Sequence, residues 1–496
     1  MTLIKAKHFW IKGSFNNPTT GILVDDGIIV QLLTELPTDQ SALEVMDLGS
    51  VYVYPGFIDT HTHSFEGGLY SLMTDLSPAR NIDDVLAMIS ATLDKPGEFL
   101  FAWNFDENSI AEGRFPTLDE LNNVVSDRCL ILRRLDGHSC MVNSYACRKM
   151  QDAQLAVKCE NQNGIFKGLD HDRVVHWFQS HLDQETILEA YHAASDIALK
   201  GGFTTLHTMV GDANNSIGHF SLLKKHLRDF DIDYILYPQS FNIDAALEAG
   251  AERVGGCILA DGSIGSYTAA LYEPYQGTPI RGNLYQTDCF WREFISRAHR
   301  YNLQVAVHCI GDKAITQINS IYFELAKADY KDLRHQLIHC EITDDDIINH
   351  IKASAAVPVM QPVFDQLWGG DKGFYANRLG PERARIMNRF GSFTKKRVKI
   401  TGSSDWYITP LNIAQSIHAA MHHHVPEERL QAHEAVDIYT RNAAWLSHDE
   451  QSFGEIETGN RADLTVLDTD FNNPFEYQNV HVQAVIKRGK VVHAAK

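Results

Sequence analysis

The chain has 496 residues, 44% of them hydrophobic, which is enough for one large domain with an accessory domain. Its formal net charge of −19 argues against a general nucleic-acid binder, because such proteins neutralise phosphates with lysine and arginine. Eight cysteines without a C-x-x-C pair exclude a disulfide scaffold and favour reduced thiols in a cytoplasm, and neither a signal peptide nor an apolar segment of membrane-spanning length is evident.

Both ends of the chain consist of short strand-like segments. Near the N-terminus, "GILVDDGIIVQLL" carries a hairpin signal at Asp26-Gly27, between two apolar runs. Near the C-terminus, "ADLTVLDTDF" and "VQAVIKRGKVV" have the same character, and the second turns at Arg488-Gly489. We therefore predict that residues 1–54 and 450–496 together form one small β domain, with the middle of the chain inserted into it.

The middle of the chain, residues 55–449, alternates strands and helices and is predicted to be a (β/α)8 TIM barrel. Residues 65–185 interrupt this alternation, which indicates an inserted subdomain after the first barrel strand. The histidine run in "MHHHV", which ends at Val425, is expected to end a helix on the surface. The eight predicted strands are "VYPGFID", "FTTLHTM", "DYILYPQS", "GGCILADG", "LQVAVHCIG", "RHQLIHCE", "AAVPVMQP" and "RVKITGSSD".

Polar side chains that can bind a metal recur where the predicted strands end. His61 and His63 lie two residues apart at the end of the first strand, so their side chains point the same way. Active sites of such barrels lie at the C-terminal ends of the strands. Any one of these residues could be a buried core histidine or a helix cap, but together they predict a metal site. The candidates at strand ends are His61, His63, Cys257, Asp261, His308, His339 and Asp405.

Several ordered motifs resemble those of the amidohydrolase superfamily, and most closely amidohydrolase family 3, the YtcJ-like group that includes N-substituted formamide deformylases. These motifs are "FIDTHTH", "ADGSIGSYTAAL", "VAVHCIGDKA", "RHQLIHCE" and "GSSDW", with "RRLDGHSCMVNSYA", "NRLGPERA" and the closing "GEIETGNRADLTVLD". The resemblance covers nearly the whole chain. It implies a metal-dependent hydrolase with a (β/α)8 barrel and a small β-sandwich.

The chemistry of amide hydrolysis agrees with this resemblance. A zinc-type cation lowers the pKa of bound water to about 7 and polarises the carbonyl group. A carboxylate beside the metal can take the proton from the water and return it to the leaving nitrogen, and Asp405 is the candidate for that role. We therefore expect one or two divalent ions, zinc first, and cleavage of a C–N bond in an amide, formamide or cyclic amide.

The chain departs from the family at the fourth strand. Where family members usually have a lysine that can be carboxylated to bridge two metals, "GCILADGS" has Cys257. A carbamate bridge is thus excluded, whereas a thiolate can bind and even bridge zinc. The alternative is that Cys257 is a small buried hydrophobic residue, in which case the site holds one metal or none.

Three further residues complete the expected site. By resemblance, His138 in the inserted segment would contact substrate, and Asp261 is assigned to substrate binding with it. Asp312 would orient a ligand histidine or cap the next helix.

The sequence leaves the particular substrate open. The expected partner is a small-molecule substrate, with neither nucleic acid nor membrane, and a homodimer is one candidate for the oligomeric state. Two functions compete with hydrolysis: a non-catalytic ligand-binding or regulatory relative with an altered metal site, and a metal-dependent lyase or decarboxylase.

Overall fold

The computed structural model of the chain describes residues 1–94, 97–134, 139–157, 163–211 and 215–495. The chain divides into two compact units, one formed by Met1–Ser64 together with Ser195–Lys496 and the other by Phe65–Ala194. Among the described residues, no helix has both the length and the apolar character needed to cross a membrane.

The N-terminal segment is built from short strands. The predicted hairpin at its start is confirmed: Asp26 and Gly27 have φ values of +46° and +78°, as a two-residue type I′ turn requires. The strands are β1 (Thr2–Lys5), β2 (His8–Phe9), β3 (Gly21–Asp25), β4 (Ile28–Leu33), β5 (Glu44–Asp47), β6 (Tyr52–Pro55) and β7 (Phe57–Thr62).

The unit Phe65–Ala194 has a sheet and an apolar core of its own. Buried leucines of its strands pack against helix residues Val85 and Ile89. Its elements, the last of which extends beyond the unit, are α1 (Ser64–Leu72), β8 (Thr74–Asp75), α2 (Ile82–Ser90), β9 (Phe99–Phe105), α3 (Leu118–Val124), β10 (Cys129–Arg134), β11 (Ser139–Val142), α4 (Ser144–Asp152), β12 (Ile165–Lys167), α5 (Leu169–Ser180) and α6 (Gln184–Lys200). The sheet order is β12-β11-β10-β9-β8.

Strands and helices then alternate along the chain, as predicted. The elements are β13 (Phe203–Val210), α7 (Ser216–His226), β14 (Asp233–Pro238), α8 (Ile243–Glu248), β15 (Arg253–Leu259), α9 (Asp288–Arg300), β16 (Gln304–Cys309), α10 (Asp312–Ala328), β17 (Gln336–His339), α11 (Asp345–Ser354), β18 (Val357–Met360), α12 (Pro362–Trp368), α13 (Phe374–Leu379), α14 (Pro381–Ala384), α15 (Phe390–Lys395), β19 (Thr401–Gly402), α16 (Ile413–Met421), α17 (Ala432–Asp437) and α18 (Arg441–Leu446).

The eight predicted strands correspond to β7 and β13–β19, and their pairings are parallel. They form two sheets, ordered β14-β13-β7 and β15-β16-β17-β18-β19. The end of the eighth strand lies beside the end of the first. The Asp405 amide donates to the His61 carbonyl at 3.0 Å, and the His63 amide donates to the Trp406 carbonyl at 2.6 Å. These bonds bring residues from opposite ends of the alternating region to one place.

The chain ends pair with each other in one sheet, ordered β2-β6-β20-β21-β22, in which β20 (Leu464–Leu467) pairs with β6, followed by β21 (Val482–Lys487) and β22 (Lys490–Ala494). The predicted turn at Arg488 and Gly489 joins the last two strands, with φ values of +47° and +76°. A second sheet, β4-β3-β1-β5, shares an apolar cluster with the first. That cluster includes Ile4, Ile22, Ile29, Val53, Leu464, Val466 and Ile486.

Candidate metal centre

Two histidines and one carboxylate converge where the first and eighth strands end. The Nε2 atoms of His61 and His63 lie 3.1 and 3.3 Å from the same oxygen, Oδ1 of Asp405. Although burial by itself opposes ionisation of Asp405, the close approach of His61 and His63 and the charge of His339 lower the pKa of this carboxyl far below its usual range. Asp405 is therefore ionised at neutral pH and can act as a negatively charged ligand for a metal ion.

Unpartnered buried atoms show that this donor set suits a cation. His61 is fully buried, and neither of its ring nitrogens has a hydrogen-bond partner among the residues that the structure describes. Oδ1 of Asp405 is also buried without one, despite its short distances to the histidines. Buried polar atoms are rarely left unpaired. Two sets of three donors have all their ligand atoms within 4.8 Å of one another: His61, His63 and Cys257, and His61, His339 and Asp405.

Cys257 reaches this centre because its strand is irregular. Gly255 and Gly256 have φ values of +98° and +101°, which only glycine adopts readily, and the register with the neighbouring strand shifts between Gly255 and Leu259. Burial alone would raise the pKa of the thiol, but hydrogen bonds from His308 and His63 lower the pKa of Cys257 to about 5. A thiolate in this position is a suitable ligand for zinc.

Gln361 fixes which nitrogen of His339 faces the centre, and sequence reasoning missed it. The Gln361 amide nitrogen donates to the Ser403 hydroxyl at 2.9 Å and to the Val359 carbonyl at 3.3 Å, so its oxygen faces Nδ1 of His339 at 2.9 Å. Nδ1 must then carry the proton, and the lone pair of Nε2 is free to bind a metal. Gln361 directly follows the seventh strand, so its place at a strand end was the signal for it.

His308 is oriented in the same way by a backbone carbonyl. Its Nε2 lies 3.2 Å from the Gly262 oxygen, which can only accept, so Nε2 carries the proton and the buried Nδ1 is the free nitrogen. Burial disfavours the charged ring, but the neighbouring Cys257 raises the pKa of His308 to about 9, so a metal bound at Nδ1 would have to displace a proton from that nitrogen. The rings of His308 and His339 lie 4.5 Å apart.

Asp261 is buried and holds loop backbone. Its two carboxylate oxygens accept the amides of Ala270, Ile310 and Gly311 at 2.8 to 3.0 Å. Its Oδ1 lies 3.8 Å from Nε2 of His308. The described contacts thus make Asp261 a support for the loop that carries the His308 partner, and its contact with substrate stays a prediction.

Asp312 and His138 are not brought into the centre by any described contact. Oδ1 of Asp312 accepts the amides of Tyr272 and Lys313 at the start of α10, which ties a loop to that helix. A role for Asp312 in orienting a histidine therefore stays a prediction. His138 lies outside the described residues.

Asp59 ties the first strand to the eighth and was also missed. It is fully buried, and its two oxygens accept the amides of His61 at 3.1 Å and of Ser404 at 2.9 Å. Burial raises the pKa of this carboxyl to about 7 even though both amides favour the charged form. Each of the two amides lies within two residues of a candidate ligand, so Asp59 positions ligands on both strands.

A second cluster of titratable groups lies at Asp365, His423 and His424. The expectation that this histidine run lies on the surface is wrong for His423, which is fully buried because it packs against the ring of Phe390 and lies 3.2 Å from Asp365. The Val425 amide donates to Nδ1 of His423, so Nε2 keeps its proton and points it at Asp365. Asp365 also accepts the backbone amide of His424 at 2.9 Å, so this cluster joins α12 to the residues that follow α16.

The fold and the donor set define an α/β protein with a candidate divalent-metal centre at the ends of parallel strands. A sequence model of the amidohydrolase family matches residues 44–493, and the chain belongs to that family. Family membership and the His/Asp donor sets support hydrolase activity and a divalent metal.

The chain is similar to proteins of known name over most of its length. It is 25% identical to YtcJ of Bacillus subtilis (strain 168), covering 96% of each chain, and 24% identical to the N-substituted formamide deformylase of Arthrobacter pascens, covering 92% of this chain and 91% of that one. Its fold is similar to that of an uncharacterized metal-dependent hydrolase from Pyrococcus furiosus, with a TM-score of 0.81, 23% identity and coverage of 95% of this chain and 100% of that chain. These likenesses imply a TIM-barrel-like α/β fold.

Proposed function

We propose that the chain is a zinc-dependent hydrolase that cleaves the C–N bond of an amide, formamide or cyclic amide. The observation that carries the proposal is the ionised Asp405 beside two histidines, with buried donor atoms that no protein group satisfies. Similarity to a formamide deformylase supports the choice of substrate class.

The proposed ligands are His61, His63, Cys257, His308, His339 and Asp405, around one or two ions. A divalent ion held by these residues would polarise the substrate carbonyl and make water more acidic. Asp405 would accept a proton from the attacking water on its carboxylate and return it to the leaving nitrogen. His138 and Asp261 are proposed to contact the substrate, and Asp312 to support His308.

The finer architecture belongs to the same proposal. We propose that β7 and β13–β19 close into a (β/α)8 barrel at residues 55–449, with a subdomain inserted at about residues 65–185. Residues 1–54 and 450–496 would form a composite β-sandwich, which the shared apolar cluster supports. Each cysteine that the structure describes is a free thiol, which supports placing the protein in the cytoplasm.

The test begins with metal content and then measures turnover. The purified chain is loaded with zinc, its bound metal is quantified, and it is offered N-substituted formamides, simple amides and cyclic amides. We expect release of an amine or ring opening, and a loss of kcat of roughly two to four powers of ten in Asp405→Asn. Asp371→Asn, which changes an exposed carboxylate paired with Arg385, is the matched control.

Three results would contradict the proposal. Near-normal turnover in Asp405→Asn would show that Asp405 does not carry the proton. Absence of bound metal, with no rescue by added zinc, would favour a ligand-binding or regulatory protein. Products that lack the elements of water would favour a lyase or decarboxylase.

A further inference from the structure

Arg378 is a half-buried arginine that has no anionic partner among the described residues. Its Nε is buried and has no described acceptor, and its one described hydrogen bond is the 2.5 Å donation from Nη1 to the Tyr267 hydroxyl. In the described part of the chain, no carboxylate forms an ion pair with it. Two arginines that follow it in the chain have described acceptors: Arg383 donates to three backbone carbonyls, and Arg385 lies 3.5 Å from a carboxylate oxygen of Asp371. Most N–H groups of Arg378 thus lack an acceptor among the described residues and can bind a ligand.

Two aromatic rings hold this guanidinium in place. The central carbon of Arg378 lies 4.4 Å from the Tyr267 ring centroid and 5.0 Å from that of Phe374. Such contacts stabilise a cation without neutralising its charge. The ring of Tyr267 in turn packs against the ring of Tyr275, with their centroids 5.0 Å apart. A planar fork held between aromatic rings is pre-organised to bind a planar anion in two-point fashion.

The loop that carries Tyr267 starts at the candidate metal centre. The Gly262 carbonyl is the acceptor that orients His308, and the Gly262 amide donates to the carbonyl of Thr268, the residue after Tyr267. The other half of the Arg378 site comes from α13, which follows the seventh strand and α12. Both segments therefore follow strand ends that carry proposed ligands, and the hydrogen bonds of Gly262 connect the Tyr267 loop to His308.

We infer that Arg378 binds a carboxylate of the substrate, so that the substrate is an amide that carries a free acid, such as an N-acyl or N-formyl amino acid or a cyclic amide acid. This inference rests on the proposed function, because it names the substrate class of the same site. A single guanidinium fork matches the two oxygens of one carboxylate. The net charge of −19 disfavours a polyanionic substrate.

The test uses pairs of compounds that differ only in charge. N-formylphenylalanine is compared with N-formylphenylalaninamide, and N-acetylglycine with N-acetylglycinamide. Affinities for the zinc-loaded full chain are measured by calorimetry, and hydrolysis is followed in parallel by chromatography. The variants are Arg378→Met, which removes the charge, and Arg378→Lys, which keeps the charge without the fork. Arg385→Met is the matched control, and circular dichroism reports whether each variant folds.

We expect the wild type to bind at least one acid more tightly than its neutral amide. Arg378→Met should weaken binding of that acid by roughly 10- to 100-fold and leave binding of the amide unchanged. If Arg378→Met fails to fold, Arg378→Lys must show a smaller loss in the same direction. Equal affinities within each pair in the wild type would overturn the inference. So would a preference for the acid that survives in the Arg378 variants, because the metal would then hold the carboxylate. Acid-selective binding that depends on Arg378, without hydrolysis of any compound, would instead contradict the proposed function alone.

Discussion

The substitution Gln361→Met tests whether a residue outside the donor set controls metal binding. The Gln361 oxygen is the described acceptor for the Nδ1 proton of His339, at 2.9 Å in a fully buried position. Methionine has a similar length and cannot accept this bond. The variant either leaves a buried N–H group unpaired, which costs about 1 to 3 kcal/mol, or moves the proton to Nε2, the nitrogen that faces the centre.

Either outcome weakens zinc binding by roughly 10- to 100-fold, the usual effect of losing such a partner. This corresponds to about 1.4 to 2.8 kcal/mol and matches the cost of the unpaired group. Competition with a chromogenic chelator measures the dissociation constant. Gln361→Glu keeps an acceptor and should bind zinc almost as well as the wild type. Gln366→Met, on the exposed side of α12, the helix that follows Gln361, loses a bond with Gln415 and should leave zinc affinity unchanged. Zinc affinity in Gln361→Met within twofold of the wild type would refute this reasoning.

Three further predictions concern a ligand, a buried histidine and a close backbone contact. Cys257→Ser should lower the zinc content or affinity of at least one site. Cys257→Lys restores the lysine that the resemblance to the family implies at this position. Unchanged metal content in Cys257→Ala would show that the sulfur is only a packing group. Burial lowers the pKa of His335 to about 3, so the unfolded chain binds one more proton between pH 3 and 6.5 and stability falls as the pH drops below 6.5. When the free energy of unfolding is measured in urea at several pH values, its slope against pH should be smaller in His335→Gln than in the wild type, by up to about 1.4 kcal/mol per pH unit. An identical pH slope in both proteins would contradict the assignment. Gly311→Ala would place a methyl carbon 2.1 Å from the Ala270 carbonyl oxygen and should therefore destabilise the fold by about 1 to 3 kcal/mol. Gly218→Ala, on an open face of α7, should not destabilise it, and thermal melts of both variants test this.

The positions of the strands and of the proposed ligands were predictable from the sequence. Short apolar runs bounded by turns identify buried strands, and each segment predicted in this way overlaps one of the strands β7 and β13–β19. Parallel strands with helical crossovers bring their C-terminal ends to one side. For that reason His61, His339 and Asp405 could be expected to meet from their places at strand ends alone, and the structure brings their ligand atoms together. The Asp26-Gly27 turn was predictable because so few residues adopt its backbone angles.

Other features depended on contacts that the local pattern does not encode. The run that contains His423 reads as polar in sequence, but the side chain is buried by elements that meet it only in the folded chain. Asp261 stood at a strand end like the ligands, and only the fold shows its oxygens taken by three backbone amides.

What the sequence determined by itself is which residues stand at the strand ends, because strand period and turn chemistry are properties of neighbouring residues. What only the tertiary structure decided is the state of those residues. The tautomer of His339 depends on Gln361, the fixed position of His61 depends on Asp59 and its bond to Ser404, and the free donors of Arg378 depend on the rings around it. Asp59 and Ser404 are 345 positions apart. Such pairs carry no local periodicity, because their contact exists only after the whole chain has packed.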